Sequence, residues 1–105
     1  MSHSAEEIPF LIAALEADPS NWHTRRYLSD YYLNAGDEKR AIALITSSPV
    51  APDGEDHVVY AAQVTARLSV KRAQQLLDQF LVKNASSARA HYLKARLFLQ
   101  EGQTE

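Results

Sequence analysis

Residues 28–52 read LSDYYLNAGDEKRAIALITSSPVAP, and this stretch decides the fold. Two helix-favouring segments lie on either side of Gly36, which predicts the end of one helix because glycine readily adopts the conformation that follows a helix C-terminus. Asp37 predicts the N-cap of the next helix, and Pro49 follows the end of that helix. The stretch therefore predicts two helices joined by a short turn, which forces them to pack antiparallel.

The same start and stop signals recur along the chain and predict six helices in all. Ser4 and Glu7 form a capping box before the first helix, and Asp18-Pro19 ends that helix. Asp53 predicts the cap of the fourth helix and Ser69 the cap of the fifth. Runs of alternating β-branched residues are missing from the sequence, so the class is all-α. The predicted helices span residues 5–17, 21–35, 38–47, 55–68, 70–84 and 87–101.

The helix pairs recur along the chain at a nearly constant spacing. Units begin at positions 22, 54 and 88, which is close to the period of about 34 residues that one class of helix-turn-helix repeat has. Because one hairpin cannot bury its apolar face alone, such repeats stack on each other. We expect a single domain over residues 1–105, made of a half repeat at 4–21, full repeats at 22–53 and 54–87, and a half repeat at 88–105.

The repeat resembles the tetratricopeptide repeat family over nearly the whole chain. The resemblance implies antiparallel helix pairs stacked as a short right-handed superhelix, with related helical repeats of the half-a-tetratricopeptide type as the alternative. Val64, Leu68 and Phe80 depart from the family pattern in the second full unit, and Lys94 departs from it in the last. The matching residues are Leu28, Ser29, Tyr32, Gly36, Ala41, Ile45 and Pro52, then Tyr60, Ala61, Ala73, Leu77 and Leu81, then Ala95, Phe98 and Gly102.

The family resemblance implies a module that binds a protein or peptide in a concave groove lined by the first helix of each repeat. The arginines among the groove candidates suit a partner with an acidic segment, although charged residues on exposed helix faces are usually only solvated. The Lys/Asn/Arg constellation with which the family clamps chaperone tails is not found, so that partner is not predicted. The candidate groove residues are His23, Arg26, Asp30 and Asn34, then Glu55, Val58, Ala62 and Thr65, then Arg89, Tyr92 and Arg96.

A second hypothesis concerns the last half repeat, which lacks its second helix. Leu93, Leu97 and Phe98 would then form a partly uncovered apolar edge. Such an edge favours self-association into a homo-oligomer, or docking within a larger protein that carries an enzymatic or ATPase domain. The sequence leaves the choice between the groove and this edge open.

Composition and motifs argue against catalysis, cofactors and metals. The 105 residues include no cysteine and carry a formal net charge of −2, which gives no general attraction to nucleic acid or to anionic membranes. His23, His57 and His91 recur at equal spacing, but equivalent positions on successive hairpins lie about 20 Å apart, too far to share an ion. We therefore expect a non-enzymatic adaptor or scaffold with no cofactor, located in the cytoplasm.

Overall fold

A computed structural model of the protein describes residues 6–102, and these residues form six α-helices and no strand. The prediction of an all-α fold built from helix-turn-helix units is confirmed. None of the helices in this range is long and apolar enough to cross a membrane. The helices are α1 (Ile8–Ala17), α2 (Trp22–Asn34), α3 (Glu38–Thr46), α4 (Glu55–Thr65), α5 (Val70–Lys83) and α6 (Ala88–Gly102).

The chain divides into two compact units between Pro52 and Asp53. The first unit contains α1, α2 and α3, and the second contains α4, α5 and α6. In each unit, consecutive helices pack against each other. The division falls one residue before the predicted border between the two full repeats. The proposed extent of the domain and of its repeats stays a prediction.

The turn between α2 and α3 is built as the sequence predicts. Gly36 has a φ of 85°, and the N–H of Asp37 donates to the carbonyl of Tyr32 at 2.8 Å. Two hydrogen bonds define a Schellman turn at a helix C-terminus, and this is the one that spans more residues. The Asp37 side chain then accepts a hydrogen bond from the N–H of Arg40 and so caps α3. Three residues thus end one helix and begin the next, which sends the chain back along α2.

Small residues bring the two helices of this hairpin close together. Ser29 on α2 and Ala41 on α3 are both fully buried, and the Ser29 hydroxyl donates to the Ala41 carbonyl at 3.1 Å. Leu28 and Ile45 fill the space beside this contact. The larger residues supply most of the buried apolar area, which is the main stabilising term.

The second unit has one continuous core drawn from all three of its helices. Ala61 and Ala73 are the small buried residues of the α4–α5 hairpin, and Ser69 caps α5 by accepting a hydrogen bond from the N–H of Arg72. Helix α6 packs on this hairpin. The core residues are Val58, Val59, Ala62, Ala73, Leu77, Ala90, Leu93 and Leu97.

The residues that precede two helices differ from the predicted caps. Helix α1 begins at Ile8 rather than at residue 5, with Pro9 in its first turn, where a missing N–H costs nothing. Ser4, the predicted cap of that helix, lies outside the described residues, and Glu7 makes no side-chain cap hydrogen bond. Helix α4 is preceded by Gly54, with a φ of 82°, so the prediction that Asp53 caps it is wrong. The residue directly before α4 is therefore Gly54, one residue later in the chain than the predicted cap Asp53.

Helix α4 is also shorter than predicted. It ends at Thr65 rather than at Leu68. The N–H groups of Leu68 and Ser69 both donate to the carbonyl of Thr65, so the last residues tighten into a turn before the Ser69 cap. Leucine stands here in place of the repeat's usual glycine, and a chain without glycine can leave a helix by such a tightened turn.

Candidate functional site

An open cleft of about 600 Å³ lies in the second unit, between the end of α4 and the C-terminal half of α6. Its floor contains two leucines of the core, Leu93 and Leu97. A third leucine, Leu99, is two-thirds exposed and lies at its side. The remaining lining residues are Gln63, Ala66, Arg67, Arg96 and Gln100.

The spacing of residues along α6 explains how this lining arises. Ala90, Leu93 and Leu97 follow the i, i+3, i+7 pattern of one helix face and are buried in the core. With that face fixed, Arg96 and Gln100 lie on the flank that faces the cleft. The core of the second unit therefore sets the orientation of the polar groups at the cleft.

Two arginine side chains lie at the cleft. Arg67 and Arg96 line it, and among residues 6–102 no acidic residue lines it. The Arg96 guanidinium lies over the ring of Tyr92, 5.9 Å from the ring centroid. Such a cation–π contact holds the planar guanidinium in place and leaves its N–H groups to donate to other acceptors. The arrangement suits a carboxylate that lies beside an apolar group.

Arg89, another predicted groove residue, is engaged within the chain. Its guanidinium forms an ion pair with Asp56 and a second one, at 3.4 Å, with Glu55. The hydrogen bond to Asp56 raises the pKa of Arg89 above its usual value. Glu55 also accepts a hydrogen bond from the Ser87 hydroxyl at 2.7 Å. These contacts join the beginning of α4 to the beginning of α6, and two carboxylates of the chain balance the charge of Arg89.

Comparison with known proteins identifies the repeat. Residues 67–105 match the family model of the tetratricopeptide repeat. The match supports a tetratricopeptide repeat assignment for that part of the chain. No curated protein and no solved structure matches the chain. Tetratricopeptide repeats generally mediate interactions between proteins and are typically not catalytic.

The first unit carries the other groove candidates on α2. His23 meets Tyr27 edge to face, with ring centroids 4.6 Å apart. Asp30 and Asn34 are exposed and share a long hydrogen bond of 3.4 Å. Arg26 is half-buried on the same helix. These four candidates thus share one helix, and their role in binding a partner stays a prediction.

Three of the groove positions that the sequence analysis predicted on α4 do not reach the surface. Val58, Ala62 and Thr65 are buried, so the expectation that they line a groove is wrong. They lie on the face of α4 that packs into the core of the second unit, and Val58 and Ala62 belong to its apolar cluster. The α4 residue that does line the cleft is Gln63, with Ala66 and Arg67 from the turn that follows.

The prediction of an apolar edge on the last half repeat is wrong for two of its three residues, which are buried. Leu93 and Leu97 are only 6% and 4% exposed, because α6 packs them against α4 and α5. Phe98, in contrast, is 57% exposed. Lys94, which occupies a position where the family has a large apolar residue, forms an ion pair at 2.5 Å with Asp78 on α5.

One residue that matters in the first unit was missed by the sequence reasoning. Arg25 is only 4% exposed, and its guanidinium donates to the carbonyls of Leu44 at 2.7 Å and Pro19 at 2.6 Å. Burial lowers the pKa of Arg25. Its spacing in the sequence could have indicated its burial. Arg25 lies three residues after Trp22 and three before Leu28, on the apolar face of α2.

The recurring residues His23, His57 and His91 lie on three different helices. Among residues 6–102, no three His, Asp or Glu side chains are grouped so that they could hold an ion. The His91 ring nitrogen Nε2 lies 2.7 Å from the carbonyl oxygen of Ala85, at the turn before α6. This contact gives His91 a local role at the beginning of its helix.

Proposed function

We propose that this protein is an adaptor that binds a short segment of another protein in the cleft between α4 and α6. The segment carries a carboxylate next to an apolar side chain. The observation that supports this function is the composition of the cleft, which combines two arginines and three leucines with no acidic residue from the described part of the chain.

Arg96 is the residue to which the proposal assigns recognition of the carboxylate. Its guanidinium is positioned by Tyr92 at the side of the cleft, and arginine can bind a carboxylate through two parallel hydrogen bonds. Tyr92 is itself two-thirds exposed. Arginine and tyrosine are enriched among the residues that contribute most to protein interfaces.

Leu99 is the residue to which the proposal assigns the apolar contact. It is exposed to solvent and lies at the edge of the floor that Leu93 and Leu97 form. A partner side chain placed against these leucines removes apolar surface from water on both sides, which favours binding. The cleft volume of about 600 Å³ is within the usual range for ligand sites and accommodates only a few side chains. We therefore expect a short linear segment with modest affinity.

The experiment is a selection from a random peptide library displayed on phage, followed by titration calorimetry with the selected peptides. The proposal predicts enrichment of peptides that pair Asp, Glu or a free C-terminal carboxylate with a large apolar residue. Arg96→Glu and Leu99→Asp should each weaken binding by about tenfold or more. Arg72→Glu is the matched control, because Arg72 is exposed on α5 and does not line the cleft.

Two results would reject the function. Selection of peptides without acidic groups would remove the basis for assigning the cleft. Equal loss of binding in Arg72→Glu and Arg96→Glu would show only a general charge effect. Circular dichroism of each variant checks that helicity is retained.

A further inference from the structure

Helices α4 and α6 are joined by polar contacts at one end and separated by the cleft at the other. We call Glu55, Asp56, Ser87 and Arg89 the α4–α6 polar cluster. Its two carboxylates belong to the first turn of α4, and its other two residues lie at the beginning of α6. The cleft lies between the end of α4 and the C-terminal half of α6. The two helices therefore run in the same direction, with the polar cluster at their N-terminal ends.

Glu55 is the centre of the polar cluster. One of its carboxylate oxygens accepts a hydrogen bond from the Ser87 hydroxyl at 2.7 Å, and the other accepts one from Arg89 at 3.4 Å. Ser87 is only 9% exposed, and its hydroxyl oxygen also accepts from the N–H of Ala90 at 3.2 Å. The same serine side chain thus caps α6 and connects it to α4. Because a hydrogen bond requires a particular distance and angle, these bonds fix where α6 begins relative to α4.

The apolar contact between the same two helices lacks this directionality. Val58 and Ala62 on α4 share the core of the second unit with Ala90 and Leu93 on α6. Burial of apolar surface favours close contact in proportion to the area removed from water, but it is non-directional. The core therefore holds α6 against α4, while the polar cluster sets the direction of α6.

We infer that Glu55 is a positioning residue for the cleft, because its bonds at the beginning of α6 determine where the far end of that helix lies. The inference rests on the proposed function, since the affected property is the affinity of the cleft for a carboxylate. Arg96 lies seven residues after Arg89, about 10 Å further along the helix. A tilt of α6 by about 5° at its N-terminal end moves Arg96 by about 0.9 Å. That displacement takes a hydrogen bond of about 2.9 Å outside the usual range.

The polar cluster acts on orientation more than on the stability of the second unit. The ion pairs of Arg89 are half exposed, and exposed ion pairs contribute little to the free energy of unfolding. A change at Glu55 should therefore alter the cleft while the second unit stays folded. Lys94 offers a comparison, because its ion pair with Asp78 joins α6 to α5 rather than to α4, and an ammonium is a point charge without a fixed direction.

The first test measures the separation of two spin labels across the cleft by electron paramagnetic resonance. The chain has no cysteine, so Gln63→Cys and Gln100→Cys provide two unique attachment sites at exposed cleft positions of α4 and α6. We expect a narrow distribution of separations in the labelled chain. Adding Glu55→Ala should widen the distribution. Adding Glu55→Gln instead should keep it close to the narrow one, since the amide oxygen still accepts from the Ser87 hydroxyl.

The second test measures, in unlabelled chains, the affinity for the peptide that binds most tightly after the phage selection. Titration calorimetry should show binding about threefold to tenfold weaker for Glu55→Ala and within about twofold of the unaltered chain for Glu55→Gln. Glu55 does not line the cleft. Its removal also makes the chain less negative, which by itself favours an acidic peptide. Weaker binding therefore cannot arise from the change in charge.

Asp78→Asn is the matched control, because it removes an equal charge and an ion pair of α6 with another helix. It should leave both the label separations and the affinity unchanged. Unchanged separations or unchanged affinity in Glu55→Ala overturn the inference, and so do equal effects of Glu55→Ala and Asp78→Asn. If no peptide binds the unaltered chain, the proposed function fails, and the label separations still decide whether Glu55 positions α6. Circular dichroism checks that each variant retains its helicity.

Discussion

Replacing Arg25 by methionine should destabilise the first unit severely, although the change keeps most of the side-chain volume. The guanidinium of Arg25 makes two short hydrogen bonds, one to the carbonyl of Leu44 in the last turn of α3 and one to the carbonyl of Pro19 before α2. Carbonyls near a helix C-terminus have no partner within the helix and carry the negative end of its dipole. Arg25 therefore connects three segments of the first unit.

The size of the effect follows from these contacts. A hydrogen bond from a charged group contributes about 1.5–3 kcal/mol to stability, so two bonds contribute roughly 3–6 kcal/mol. Burying the charge offsets part of this contribution. We expect Arg25→Met to lower the free energy of unfolding by about 2–4 kcal/mol, a large fraction of the usual stability of a small domain.

Urea denaturation followed by tryptophan fluorescence measures the free energy of unfolding of the first unit, which contains Arg25. Trp22 is the single tryptophan of the chain; it is buried, and its Nε1 donates to the carbonyl of Val50 at 3.0 Å. Its fluorescence thus reports on the first unit. The control is Arg40→Met, because Arg40 is an exposed residue of α3 with an ion pair to Asp37, a kind of pair that contributes at most about 1 kcal/mol. A loss of less than about 0.5 kcal/mol for Arg25→Met would refute the assigned role.

Two further predictions concern helix ends. Ser69→Ala should lower the stability of the second unit by about 1 kcal/mol, because it removes the cap of α5. Asp53→Ala should change that stability by less than about 0.5 kcal/mol, because Gly54 rather than Asp53 precedes α4. Thermal denaturation followed by circular dichroism at 222 nm compares the two variants, and equal effects would contradict the structure. Gly36→Ala should cost about 1 kcal/mol, because the φ of 85° at Gly36 disfavours any side chain, while Gly102→Ala, at a helical position with open space around it, should be neutral or stabilising by up to about 1 kcal/mol. The same denaturation experiment would disprove this account if the two glycine replacements had the same sign and size.

The sequence by itself determined the local architecture of this protein. Gly36 and Asp37 specify the turn between α2 and α3, and Ser69 specifies the beginning of α5. These signals are readable because a cap or a positive φ acts within three or four residues of the chain. The small residues Ser29 and Ala41 followed from the repeat period, since the same close helix contact recurs in each hairpin.

Only the tertiary structure decided which charged and apolar residues are available to a partner. Arg25, Arg89 and Arg96 look alike in the sequence, yet the first is buried against carbonyls, the second is paired with carboxylates and the third lines a cleft. Leu97 and Phe98 are neighbours in the chain, yet one is buried and the other exposed. The physical reason is that burial and pairing depend on groups far away in sequence, such as Leu44 for Arg25 and Asp56 for Arg89. Helix periodicity gives the spacing of a face, but packing fixes the direction in which that face points.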